Sequence, residues 1–177
     1  RSGRTCFLDP GLHPSRPKRC QGFEAKRDTA ARRLRGIVMS VRYFAMVAGL
    51  IYVLVGVLGF IPGAKTMPHG GDPSLAVHQG YGYLLGLFPV NILHNFVHLA
   101  IGFWGMAAYA TFEASRTFAR GLAIIYGLLA VMGLFPVLNT TFGLVPIFSH
   151  DVWLHALTAL VAAYFGWLVG VPRPTRA

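Results

Sequence analysis

Charged residues, acidic residues and cysteines are all scarce in this sequence. Charged residues make up 12% of the chain, against about 25% in an ordinary soluble domain, and only six residues are acidic. Both cysteines, Cys6 and Cys20, lie in the basic N-terminal segment and form no metal or disulfide signature. A nucleophile triad, a phosphate-binding loop and paired carboxylates are also missing. A hydrolase or a kinase therefore has no support, and no enzyme class is indicated.

The composition is strongly apolar instead. Hydrophobic residues make up 54% of the chain, and the mean hydropathy is +0.53. A soluble four-helix bundle needs a polar face on every helix, and residues 45–55 offer none. Runs of about 18–20 apolar residues are long enough to cross a bilayer as helices. The sequence therefore predicts an all-α, polytopic membrane protein with four transmembrane helices, at 43–61, 90–109, 121–138 and 152–171.

Two halves of the chain repeat one pattern. A Gly-Leu-x-Pro block followed by an apolar residue begins at Gly86 and again at Gly143, and each block is followed at the same distance by a histidine, His98 or His155. The preceding apolar runs also match, at residues 52–62 and 126–136. Internal repeats of this kind are typical of membrane bundles built from duplicated units. We expect the four helices to form two pseudo-repeated helical hairpins.

The distribution of lysine and arginine predicts the orientation. Basic residues precede the first helix, follow the last one, and include Arg116 and Arg120 between the second and third helices. The remaining loops, 62–89 and 139–149, contain only Lys65. Under the positive-inside rule both termini are cytoplasmic. We expect a multi-pass protein of the bacterial cytoplasmic (inner) membrane, with these two loops on the outer side.

Three regions are predicted. Residues 1–38 form a basic N-terminal extension, which is expected to be disordered or to hold at most one amphipathic helix near Ala25–Arg35. It is interpreted either as upstream sequence that is not native, with Met39 as the true start, or as a basic arm on an anionic membrane surface. Residues 39–171 form the four-helix transmembrane domain, and residues 172–177 form a short cytoplasmic tail. The expected partner is the lipid bilayer, a homo-oligomer is left open, and no motif indicates nucleic acid.

Polar side chains interrupt the apolar runs at the start of the second and fourth helices. They include an i, i+3, i+4, i+7 set, which lies on one helix face. Ionisable groups inside a membrane normally face the bundle interior, because burial against lipid is unfavourable. We expect this polar cluster to converge in the outer half of the bundle as a candidate ligand-binding site: Asn91, His94, Asn95, His98, Asp151 and His155.

Three functions remain open for the cluster. The first is structural, in which the side chains cap helices and hydrogen-bond between them, with Asn91 as an N-cap. The second is cofactor binding, either a metal held by His94, His98 and His155 with Asp151 orienting His155, or a haem between His98 and His155. The third is a pathway for protons or small solutes. The identity of any cofactor is left open.

Two segments resemble a known family. Residues 86–98 and residues 140–155 are similar to the hallmark motifs of a bacterial four-helix membrane family, domain of unknown function 4383. The resemblance covers about residues 40–170. It implies the four-helix fold and the membrane location, but no activity.

Overall fold

The computed structural model describes residues 18–169, with side chains described from residue 26 onward. The helices are α1 (Lys18–Phe60), α2 (Ile92–Ala108), α3 (Phe112–Gly133) and α4 (His150–Ala163), and a π-helical turn (Tyr164–Leu168) continues α4. Three segments are long and apolar enough to cross a membrane: Lys26–Phe60 of α1, the whole of α3, and α4 together with the π-helical turn (His150–Leu168). The helix α2 is apolar but has 17 residues. The architecture is therefore mostly helical and membrane-like.

The first helix begins before the predicted transmembrane span. Disorder or at most one amphipathic helix near Ala25–Arg35 is expected for residues 1–38, and residues 18–38 are helical and continue into the apolar part of α1 without a break. Alanine, arginine, lysine and leucine are strong helix formers, and an existing helix is easily extended because nucleation is the unfavourable step. Side chains 26–33 are exposed. The expectations for residues 1–17 and 172–177 lie outside the described residues.

The helices pack as two pairs, α1 with α2 and α3 with α4. Glycines permit the closest approach between α1 and α2. A Cβ on Gly49 would lie 2.7 Å from the carbonyl oxygen of Gly102 and 2.7 Å from the backbone nitrogen of Met106. The α3 side chains Phe118 and Leu122 are fully buried between the pairs. Small residues therefore set the spacing of the first pair, as is common in membrane bundles.

A small antiparallel sheet between α1 and α2 is absent from the sequence prediction. Its strands are β1 (Lys65–Thr66), β2 (Gly82–Leu84) and β3 (Phe88–Val90), in the order β1-β2-β3. The β2–β3 turn passes through Leu85 and Gly86, both with positive φ (54° and 74°). Glycine adopts this backbone region at no steric cost. The apolar stretch around residue 85 is thus a β-hairpin, which lies at the end of the bundle where α2 and α4 begin.

Arginines anchor the opposite end of the bundle. The Arg42 Nε donates to the carbonyl oxygen of Tyr109 at the end of α2 (2.8 Å). The Nε atoms of Arg116 and Arg120 both donate to the carbonyl oxygen of Gly166 in the π-helical turn (3.1 and 2.9 Å). Carbonyl groups at a helix C-terminus lack intrahelical partners, and cations there also interact favourably with the helix dipole. The basic residues are therefore part of the fold as well as of the charge pattern.

Large apolar side chains cover the outer surface of the helices. Leu54 on α1, Ile124 on α3 and Leu160 on α4 are exposed by 58%, 64% and 70%. A soluble monomer rarely exposes apolar surface on this scale, whereas lipid solvates it well. The outer faces of the helices therefore suit a lipid environment.

Candidate functional site

All six residues of the polar cluster are buried. The first four belong to the start of α2, and the other two belong to the first two turns of α4. The β2–β3 hairpin lies next to them, and its residues Tyr83, Leu84 and Val90 are buried as well. The members are at most 8% exposed: Asn91, His94, Asn95, His98, Asp151 and His155.

Asn91 has a structural task that uses most of its hydrogen-bonding capacity. It is the N-cap of α2, and its Oδ1 accepts from the backbone N–H of His94 (2.9 Å). Its Nδ2 donates to the carbonyl oxygens of Val77 (2.8 Å) and Leu144 (2.7 Å). The predicted N-cap is thus present, and the same side chain ties both long loops to the start of α2. An amide so engaged has little capacity left for a ligand.

Three members of the cluster bring potential metal-binding atoms together. One ligand atom each from His94, Asp151 and His155 lie within 4.8 Å of one another. The His94 Nδ1 is 4.0 Å from the Asp151 Oδ2. The His94 Nδ1 also lies 3.2 Å from the carbonyl oxygen of Pro89. A carbonyl only accepts, so the His94 Nδ1 is the donor in this bond, and in that tautomer Nε2 is the ring nitrogen that can bind a metal.

His98 belongs to the predicted metal set but lies outside this group of converging atoms. The His98 ring is tilted against the His94 ring, with centroids 4.4 Å apart, and it also contacts the Tyr52 ring at 5.5 Å. The i, i+4 spacing puts His94 and His98 on one helix face, but the packing of α4 decides which side chain meets His94. That neighbour is Asp151, so the carboxylate is a candidate ligand as well as a candidate orienting partner of His155.

Several buried polar atoms of the cluster are left unpaired. Among residues 18–169, no hydrogen-bond partner is found for Asn95 Oδ1, His98 Nδ1, Asp151 Oδ2 or His155 Nδ1. An unpaired buried polar group costs about 1–3 kcal/mol, and more when it is charged. Bound water or a ligand can supply the missing partners of such atoms.

A cavity of about 460 Å³ adjoins the cluster. It lies between α1 and α4, and the β2–β3 hairpin covers one end of it. Its walls are apolar apart from one end, where Asp151, His98 and His155 contribute to the lining. Small-molecule pockets typically have volumes of about 300–1,000 Å³, apolar walls and a few polar groups. The cavity therefore has the size and the polarity of a ligand site.

Two tyrosines of this site are missing from the sequence-based set. Tyr52 and Tyr126 line the cavity, and their rings lie 5.5 Å apart. Tyr52 contacts His98 (5.5 Å), and Tyr126 contacts His155 (4.9 Å). The two tyrosines occupy equivalent positions in the repeated runs at 52–62 and 126–136. The repeat alignment could therefore have found them.

The loop next to the hairpin is held by a separate carboxylate, outside the polar cluster. Asp72 accepts hydrogen bonds from the hydroxyls of Tyr81 (2.6 Å) and Tyr83 (2.7 Å) and from the backbone N–H of His69 (2.9 Å). Burial raises the pKa of Asp72, but these hydrogen bonds outweigh it, so the pKa lies below its usual value. Asp72 is therefore ionised at neutral pH and fixes the loop to β2.

Comparison with known proteins identifies the family. Neither the curated proteins nor the solved structures contain a match to this chain. A family described as domain of unknown function (DUF4383) matches residues 42–168, which include the apolar part of α1, the other three helices, the sheet and the polar cluster. The predicted resemblance is confirmed, and the chain belongs to the DUF4383 family.

Proposed function

We propose that this protein is a four-span membrane protein that binds a divalent transition metal between its two helix pairs. The ligands are His94, Asp151 and His155. Imidazole nitrogens together with one carboxylate form the usual ligand set of catalytic zinc and of non-haem ferrous iron. Three protein ligands leave coordination positions open, and the cavity offers space for a substrate or another ligand beside them.

One observation carries the metal assignment. Two imidazoles and a carboxylate from different helices approach within 4.8 Å inside an apolar bundle. Two of their atoms, Asp151 Oδ2 and His155 Nδ1, lack a partner within the described part of the chain. Metal–ligand bonds of about 2.0–2.2 Å would draw the three side chains together and satisfy both atoms. The ion would also neutralise the buried carboxylate.

The geometry favours a metal over the other two hypotheses for the cluster. Helix packing alone leaves the unpaired atoms unexplained. A haem requires an open slot between its two axial imidazoles, whereas His94 contacts the rings of both His98 and His155, with centroids 4.4 and 6.5 Å away. A pathway for protons or solutes stays a prediction.

Repeated contacts support the proposed duplication of the two helix pairs. Arg42 bonds the carbonyl of Tyr109, and Arg116 makes the same bond to Gly166. These residues stand at matching positions in the two halves of the sequence. The Tyr52–His98 and Tyr126–His155 ring pairs match in the same way. The alignment that relates His98 to His155 also relates His94 to Asp151, so the metal would lie close to the pseudo-twofold axis.

Four spans and the positive-inside rule give the orientation. Although α2 is short, 17 residues reach the lower limit of about 17–25 for a membrane helix. The end of the bundle that carries Arg42, Arg116 and Arg120 is then cytoplasmic. The hairpin, the cluster and the cavity lie in the outer half, in the cytoplasmic membrane of a bacterium.

Metal analysis of the purified full chain tests the function. We expect one zinc or iron per chain after exposure to the metal and removal of excess, and no Soret absorption band. A metal-free protein that also fails to bind added zinc and ferrous iron would refute the metal site. A Soret band would instead support haem between the histidines.

Cysteine labelling tests the orientation. In a chain with Cys6 and Cys20 replaced by serine, Gly70→Cys and Glu113→Cys place thiols at exposed positions on opposite ends of the bundle. We expect an impermeant maleimide added to intact cells to label position 70 only, and both positions to react after permeabilisation. Labelling of position 113 in intact cells would contradict the orientation.

A further inference from the structure

The cavity has its mouth on the side of the bundle that faces lipid. Ile51 on α1 and Leu157 on α4 both line the cavity, and they are exposed by 54% and 60%. Both lie in the middle of the apolar stretches of their helices. A ligand that enters between them would come from the hydrocarbon core of the bilayer.

The β2–β3 hairpin closes the cavity at the end next to the loops. Leu84, Leu85, Phe88 and Val90 contribute apolar side chains to the lining there. Water from the loop side therefore meets an apolar cover, which favours a ligand that partitions into the membrane. The hairpin therefore covers the cavity and the cluster on the loop side.

The part of the cavity lining next to the polar cluster is polar and incompletely bonded. His98, Asp151 and His155 line it, and each is less than a tenth exposed. Throughout the described ranges, the His98 Nδ1, Asp151 Oδ2 and His155 Nδ1 atoms find no hydrogen-bond partner. The hydroxyl-bearing side chains of Tyr52 and Thr158 line the cavity as well. An apolar channel that ends at such groups matches a molecule with one polar head and one alkyl chain.

We propose that the cavity binds a long-chain fatty acid from the bilayer, with its carboxylate at the polar end and its alkyl chain between α1 and α4. The inference rests on the proposed metal site. A divalent ion held by two neutral imidazoles and one carboxylate carries one net positive charge. A second carboxylate neutralises that charge and occupies an open coordination position. In the absence of metal the same carboxylate would meet Asp151 and be repelled.

Radiolabelled palmitate is the probe, with the full chain in nanodiscs, with and without zinc. We expect one palmitate per chain and at least tenfold tighter binding with zinc. Leu157→Trp should weaken palmitate binding at least tenfold by filling the mouth. Leu160→Trp is the matched control, because Leu160 is exposed on the same helix outside the cavity lining. It should leave binding unchanged.

Zinc content is measured on the same samples, so that the two proposals fail separately. Zinc binding without palmitate binding would overturn the fatty-acid site and leave the metal site standing. Equal palmitate binding by Leu157→Trp and Leu160→Trp would also overturn the inference. So would equal palmitate binding by the unmodified chain with and without zinc. If the unmodified chain does not bind zinc, both the proposed function and this inference are refuted.

Discussion

Replacing Gly49 with leucine should cause the largest loss of stability of any single change considered for this protein. The Cβ alone would lie 2.7 Å from backbone atoms of Gly102 and Met106, and backbone cannot rotate away. Overpacking typically costs about 1–3 kcal/mol, and more where the neighbour is rigid. We expect the melting temperature in detergent to fall by roughly 6–12 °C, on the basis of about 2–4 °C per kcal/mol.

Gly36→Leu is the matched control on the same helix. A Cβ at Gly36 would meet no described atom within 4 Å. Leucine favours a helix over glycine by several tenths of a kcal/mol, so this variant should be unchanged or slightly more stable. Equal melting temperatures for the two variants would contradict the close packing of α1 and α2.

Removal of a proposed metal ligand should abolish metal binding while the fold survives. Changes to groups that only orient a ligand lower metal affinity about 10–100-fold. Loss of a ligand itself should cost more. We therefore expect His94→Ala, Asp151→Ala and His155→Ala each to lower the affinity for zinc more than 100-fold in titration calorimetry. Their circular dichroism spectra should match that of the unmodified chain.

His98→Ala is the discriminating variant. His98 is as deeply buried as the ligands and contacts His94, but it lies outside the group of converging atoms. Its replacement should change zinc affinity less than tenfold. A loss as large as that of His155→Ala would support the set His94, His98 and His155 and would contradict the role of Asp151.

Local sequence signals predict much of the fold. Pro62 and Pro136 follow the ends of α1 and α3, and Asn91 caps α2. These helix boundaries are predictable because proline and capping residues act within one helical turn. The strands, which have only two or three residues each, could not be predicted in this way. Their pairing joins Lys65 to Leu84 across a long loop, and no short-range pattern encodes that contact.

The composition of the site is predictable, but its pairing is not. The six polar residues stand within apolar stretches of the sequence, which indicates that they are buried but not which side chains they contact. Helix spacing then favours His94 with His98, since both lie on one face of α2. The contact between His94 and Asp151 depends on how α4 packs against α2, which periodicity does not specify. Only the repeat relation, applied residue by residue, would have paired Asp151 with His94.

X-ray absorption at the metal edge tests the central claim most directly. The zinc-loaded full chain should show two imidazoles and additional oxygen ligands at about 2.0–2.2 Å, and Asp151→Ala should lose the metal. Three imidazoles without a carboxylate oxygen, a sulfur ligand, or a spectrum unchanged by Asp151→Ala would contradict the assignment of His94, Asp151 and His155 as the metal site.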